Sequence, residues 1–219
     1  GFVIPPAGGI IQMQYDQFTG TDTQSFASQT ATVIDNLSVT ITPTSTSSII
    51  KLEGHVFFEY GETGGEYNHM FYFYRDSTQL AAPNAGNRTA GITQSGAAFY
   101  SSDANTTPQA AYYAYFDAPS TTSAITYKLG ATFGSASTFY MNRTVNDGND
   151  YSKERGISFI SATEIAGEET DMALTRINNQ ALTNVTSAGL PSGTVLQVKS
   201  FTFKAITSTT NIYTSYADT

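Results

Sequence analysis

A strict two-residue alternation governs the middle of this chain. Ile125, Tyr127, Leu129, Ala131 and Phe133 alternate with Ala124, Thr126, Lys128, Gly130 and Thr132. Successive side chains of an extended strand point to opposite faces. The run therefore predicts a strand with one apolar face and one small or polar face. An aromatic run, 111–116, precedes it, separated by the turn residues Asp117, Ala118, Pro119 and Ser120. A third run, 138–142, follows the break at Phe133-Gly134-Ser135. Strand, turn, strand, turn, strand predicts an antiparallel sheet.

The rest of the chain repeats that grammar. Strands are predicted at 10–15 and at Leu37, Val39 and Ile41, with a polar loop or weak edge strand over 19–30, around Ser25 and Phe26. After a turn at 43–48 comes the longest strand. Ile50, Leu52, Gly54, Val56, Phe58 and Tyr60 occupy one face, and Lys51, Glu53, His55 and Glu59 the other. The chain turns at 61–65, and residues 69–76 read as a central strand, apolar on both faces. A loop at 80–90, a weaker strand at 91–100 and a loop at 101–109 lead into the organising stretch. A polar loop at 145–155 contains Asn-Asp-Gly-Asn-Asp. The last strand, 156–165, alternates through Ile157, Phe159, Ser161, Thr163 and Ile165.

Roughly eight to ten strands, with turn signals about every ten residues and no helical period, predict an all-β antiparallel β-sandwich. Jelly-roll topology is preferred over an immunoglobulin-like sandwich. The strands are long, the domain is larger than an immunoglobulin unit, and the chain has no Trp and no Cys.

Composition narrows the function classes. Charged residues are 13% of the chain, about half the usual share. Hydroxyl and amide side chains take their place, as on many extracellular and virion proteins. A net charge of −8, with only 10 scattered Lys and Arg, argues against nucleic acid as a partner. Without cysteine there is no disulfide or thiolate chemistry. No apolar run is long enough to span a bilayer as a helix, so membrane insertion is not expected. The chain opens on Gly1 with no secretory leader, which predicts a processed chain or a fragment.

After Gly167 the character changes. Pro6-Ala7-Gly8-Gly9-Ile10-Ile11-Gln12-Met13 aligns with Pro191-Ser192-Gly193-Thr194-Val195-Leu196-Gln197-Val198 at a constant offset of 185 residues. This predicts a module over 1–168, a connector over 169–187, and at 188–219 the start of a second copy or an exchanged β arm.

Little in the chain reads as catalytic. No GxSxG, HExxH or phosphate-binding loop occurs. His55 and His69 lack further metal ligands at suitable spacing. Asp147 and Asp150, flanking a Gly turn, are the best candidates for a Ca²⁺ site, although no downstream acid completes an EF-hand pattern. The plain reading of that segment is an Asn/Asp-Gly turn. Glu59, Glu62 and Glu66 are candidate carboxylates for glycoside hydrolysis only if brought close together; a solvated loop is the simpler reading. Tyr67, Tyr100 and Tyr151, near predicted loops, are candidates for stacking on host-surface glycans. Sequons occur at Asn36, Asn87, Asn105, Asn142 and Asn184.

Four segments in order carry a resemblance: PPAGGIIQMQY (5–15), FDAPSTTSAITYKL (116–129), YMNRT (140–144) and ISFISATEIAG (157–167). They resemble a jelly-roll module of tail fibres and other structural proteins of marine phages, cyanophages and some algal viruses. The matching positions are Asp117, Pro119, Thr121, Thr122, Ser123, Thr126 and Tyr127, then Asn142 and Arg143, then Glu164 and Ile165. The tail segment 181–198 resembles the linker between such modules, and 62–96 matches nothing in the pattern. The resemblance implies a virion protein without catalysis or cofactor: a homotrimer, similar in outline to complement-type and tumour-necrosis-factor-type heads, contacting other virion proteins. The aromatic strands then supply the expected oligomer interface, through Phe71, Phe73, Tyr113 and Tyr115. Alternatives are a capsid-decorating or minor coat protein of the same fold, or a carbohydrate-active depolymerase. On this map Phe73→Asp is expected to prevent soluble trimer assembly and Asn105→Ala is not; sizing of the two variants checks it.

Overall fold

In the computed structural model the alternating run forms one strand, Ile125–Phe133, and its five apolar side chains are all buried. Residues 5–61, 68–83, 86–96 and 105–168 are described. The chain separates into two units, Gly1–Thr170 and Asp171–Thr219. The described residues all belong to the first; the expected connector and second copy lie outside them.

Ten strands are formed among the described residues: β1 (Ile10–Phe18), β2 (Asp22–Phe26), β3 (Thr32–Ile41), β4 (Ile49–Tyr60), β5 (His69–Arg75), β6 (Thr78–Leu80), β7 (Gln109–Asp117), β8 (Ile125–Phe133), β9 (Ser137–Met141) and β10 (Ser158–Ile165). They make two antiparallel sheets packed face to face, a β-sandwich. One sheet has the order β1-β10-β4-β9-β2, with β7 also paired to β4; the other has the order β3-β8-β5-β6.

The register simplifies the larger sheet. β10 pairs with β4 from Ile49 to His55, and β9 continues along β4 from Phe58 to Tyr60. β1 runs beside β10, and β2 beside β9. Two long paths therefore lie side by side, each interrupted once. β1 and β2 are separated by Thr19-Gly20-Thr21, and β9 and β10 by residues 142–157. β7 covers the other edge of β4 from Ile50 to Phe58.

The inward face of β4 carries Ile50, Leu52, Val56 and Phe58, all fully buried. Facing them are Phe71 and Phe73 of β5 and Tyr127, Leu129 and Phe133 of β8. Gly54 sits between them in β4 because the opposite sheet fills its place. A Cβ there would stand 2.7 Å from Leu129 Cδ2 and 3.2 Å from Phe73 Cε1. At one end the rings of Tyr60 and Phe133 stack at 3.9 Å, and Phe58 stacks on Phe139 at 5.0 Å.

Several sequence expectations are corrected. Consecutive strands of the organising stretch do not pair: β7 and β9 belong to the larger sheet and β8 to the smaller. The connection at 118–124 crosses the sandwich, because the buried faces of β7 and β8 must meet across the core. No strand forms over 91–96, where only Thr93 bridges to Phe71. The short strand β6 instead returns against β5, after a turn in which Asp76 takes a positive φ of 51°. In β10 the core-facing residues are Ile160 and Ala162, not the odd-numbered set. Phe71, Phe73 and Tyr113 lie in the protomer core, so their rings are not available to a neighbouring chain. Tyr115 shares that inward face, partly buried against the core.

Buried carboxylates close the sandwich. Glu164 accepts from Thr44 N (2.7 Å), Thr44 Oγ1 (2.7 Å), Ser48 Oγ (2.6 Å) and Gln12 Nε2 (2.7 Å), tying β10 to β1 and to the 42–48 turn. Burial works to raise its pKa, but these donors outweigh it and hold the group below its ordinary 4.5. Asp117 accepts Arg75 Nη1 at 2.9 Å and Tyr127 Oη at 2.7 Å, linking β7 to β5 and β8 of the facing sheet.

Three outcomes follow from this packing. Leu129→Ala lowers unfolding free energy by about 2–5 kcal/mol in denaturant titration. Phe73→Asp places a carboxylate between the sheets and leaves no folded protomer, a loss of circular dichroism rather than of assembly alone. Because the folded-state pKa of Glu164 is depressed, its contribution is present above pH 4.5 and lost as pH falls through the folded value. Glu164→Gln therefore flattens the acid limb of a stability–pH curve.

Candidate functional site

The outer face of the larger sheet is built by the same registers that build the core. One row across it reads Met13, Thr163, Lys51, Phe116; the next reads Tyr15, Ser161, Glu53, Ala114; a third reads Gln17, Phe159, His55, Tyr112. These positions alternate with the core-facing ones, so their side chains point away from the sandwich. Ile10 is 68% exposed, Met13 54%, Tyr15 71%, Tyr112 59%, Phe116 61% and Ile157 47%. The centre of the face is more polar. Lys51 and Glu53 form an ion pair at 3.1 Å, Tyr112 Oη donates to Glu53 at 2.5 Å, and His55 stacks on Phe159 at 5.8 Å. The Tyr112 hydroxyl, followed by Lys51, holds Glu53 below the usual carboxylate range, and the same bond raises the Tyr112 pKa.

A surface loop, 143–156, departs from the middle of this sheet, where the β9–β10 path is interrupted. Its neck is closed by a bridge between Arg143 and Arg155 and by Gly156 N donating to Asn142 O at 3.3 Å. Asn142 is fully buried and has a positive φ of 60°, a conformation Asn tolerates better than most residues. Its Nδ2 donates to the carbonyls of Phe18 and Gly20 at 2.8 Å each, and its Oδ1 accepts Ser158 Oγ at 2.7 Å. One side chain thus stitches both strand interruptions together. Buried Glu59 accepts Val145 N at 2.7 Å and Thr107 N at 3.0 Å. Past this neck, Tyr151 is 99% exposed.

The sequence candidates fall as follows. Tyr151 stands at the surface of the anchored loop; Tyr67 and Tyr100 lie outside the described residues. Asp147 faces two guanidinium groups, Arg155 and, at 3.5 Å, Arg143. The bond from Arg155, with the charge of Arg143, holds it below the usual carboxylate range. Asp150 accepts Ser152 N at 3.0 Å and Ser152 Oγ at 2.9 Å, and those bonds lower its pKa. Both carboxylates are thus used within the loop, and two cations already occupy the surroundings of Asp147. No group of three or more His, Cys, Asp or Glu suited to a metal occurs among the described residues. Glu59 is a structural anchor, while Glu62 and Glu66 lie outside the described residues. The Asn142 sequon is sealed in the core, with both Asn142 and Thr144 buried.

Among the described residues a Ser–His contact is formed, with Ser95 Oγ 2.9 Å from His69 Nε2. Ser95 N donates to the same Nε2 at 2.9 Å, and the Ser95 hydroxyl donates to Gln109 Oε1. The hydroxyl proton is directed at the amide, away from the imidazole, and all three residues are buried. This geometry joins the 91–96 segment to β5 and β7 and does not activate a nucleophile. A cleft of about 240 Å³ at the end of the sandwich is lined by Gln29, Asn68, Thr89, Thr132, Phe133 and Gly134, an uncharged set without an acid or base.

No family model and no curated protein matches this chain, so the functional reading rests on its residues and their geometry. Sequence reasoning missed the outer face, although its signal was present: Met13 and Tyr15 alternate with Gln12, Gln14 and Asp16. It also missed the anchors Asn142 and Glu59, whose partners are distant in sequence. Asn142→Ala is expected to cost roughly 1–3 kcal/mol and to speed amide exchange through 143–156, whereas Tyr151→Ala leaves the melting temperature unchanged; thermal melting with hydrogen exchange reads both.

Proposed function

We propose that the protein is a non-enzymatic structural module of a virion, a homotrimeric fibre or surface-appendage element that meets other virion proteins. The observation that carries this reading is the outer face of the larger sheet, where Ile10, Met13 and Tyr15 stand exposed along one edge and Tyr112 and Phe116 along the other. Covering such a face against copies around a threefold axis removes it from water, at roughly 1.5–3 kcal/mol for each large apolar side chain fully buried. The hydroxyl-rich, weakly charged remainder and the ordered segments that resemble a marine-phage module support the same reading. So does the use of Glu59, Asp117 and Glu164 as hydrogen-bonded anchors, which leaves them engaged in the fold.

Tyr151, on a loop whose neck is locked to the sheet, is the proposed contact for a host-surface glycan. A rigid scaffold presenting a polar loop is a common basis for recognition.

Light scattering behind a sizing column is expected to return three times the 23.5 kDa chain mass. The trimer persists in 1 M salt, because an apolar contact is not screened. A monomer at micromolar concentration overturns the reading.

A further inference from the structure

The exposed apolar side chains of the larger sheet are not spread evenly over its outer face. Ile10, Met13 and Tyr15 lie on β1, and Tyr112 and Phe116 lie on β7. Among the described residues, β1 pairs only with β10, and β7 only with β4. They are therefore opposite edges of one sheet. Three strand spacings separate them, about 14 Å, with the Lys51–Glu53 pair and His55 between.

Neither edge carries the cationic or proline residues that usually protect one, although β1 has a bulge between Ile10 and Gln12. The β1 sequence is IIQMQYDQF and the β7 sequence is QAAYYAYFD. Neither contains Lys, Arg, Glu or Pro, the residues that commonly blunt an edge against pairing. The one acid in each is engaged within the protomer: Asp16 accepts Ser38 N at 3.1 Å, and buried Asp117 holds Arg75. In a chain of net charge −8, these two edges can meet a second copy without like-charge repulsion. Their lack of cations gives nothing to attract an anionic lipid or nucleic acid.

We infer that the sheet closes on copies of itself head to tail: the β1 edge, with Met13 and Tyr15, of one copy docks on the β7 edge, with Tyr112 and Phe116, of the next. Two different patches on opposite edges make a heterologous contact, and a heterologous contact that closes gives a ring. A two-fold contact would instead match one patch with itself. The inference rests on the trimeric reading above and specifies which surfaces form its interface.

The test uses two double variants of the full chain. One carries Met13→Glu with Tyr15→Lys. The other carries Tyr112→Lys with Phe116→Glu, which places each new charge beside its opposite in Glu53 or Lys51. All four positions are exposed, and circular dichroism with thermal melting checks that each variant folds; where one does not, Ser at the same positions replaces the charges. In sedimentation velocity each variant alone is expected to be a monomer at concentrations where the unaltered chain is a trimer. An equimolar mixture forms a one-to-one dimer, because one intact β1 edge meets one intact β7 edge and the ring cannot close.

A mixture that sediments as the sum of its parts, beside a trimeric unaltered chain, overturns the head-to-tail contact and leaves the trimer reading standing. The same holds if either variant alone remains a trimer. A monomeric unaltered chain overturns both; protection of β1 and β7 amides in that monomer would assign the edges to another part of the same chain.

Discussion

The structure depends on strand β4 and the contact of its inward face with the facing sheet. Ile50, Leu52, Val56 and Phe58 meet Phe71, Phe73, Tyr127, Leu129 and Phe133 in one buried cluster. β4 is also hydrogen-bonded along both edges, to β7 on one side and to the β9–β10 path on the other. Its twelve residues therefore fix the register of the larger sheet and the depth of the core together. Gly54, at the centre, lets the two sheets approach where Leu129 and Phe73 fill the space.

The functional surfaces are consequences of that register. With one set of alternate residues committed to the core, the other set must form an outer face. On β10 and β4 this face is moderated by Ser161, Thr163, Lys51, Glu53 and His55. On the edge strands it is not, and apolar side chains stand free at both margins. The loop at 143–156 is a second consequence. A central strand path can be broken without loss only if the broken backbone finds partners, and Asn142 and Glu59 supply them. The interruption is therefore rigid at its base and exposed at Tyr151.

Polar side chains inside the fold act as fasteners. Glu164, Asp117 and Glu59 each accept several donors from segments far apart in sequence. Buried carboxylates of this kind are stable only when well supplied with donors. That explains why residues which, taken singly, resemble acid–base candidates are engaged in holding turns and loops.

Much of the fold was legible in residue order. Two-residue alternation identified β4 and β8 and their buried faces, because strand geometry ties period to facing without reference to any distant partner. The aromatic run in β5 announced a central strand, and turn residues marked most boundaries. Strand pairing was not legible: β7, β8 and β9 follow one another yet alternate between sheets, since pairing depends on which apolar faces meet across the core. For the same reason Phe71, Phe73 and Tyr113 read equally well as core or as interface, and only packing assigned them to the core. The opposite held for Met13, Tyr15, Tyr112 and Phe116, whose exposure follows from register with neighbours up to about 150 residues away. Sequence by itself determined that the described residues form an all-β fold and which positions on β4 and β8 are buried. The tertiary structure decided which edges and loops remain for other molecules, because exposure is a property of the assembled sheets and not of any segment alone.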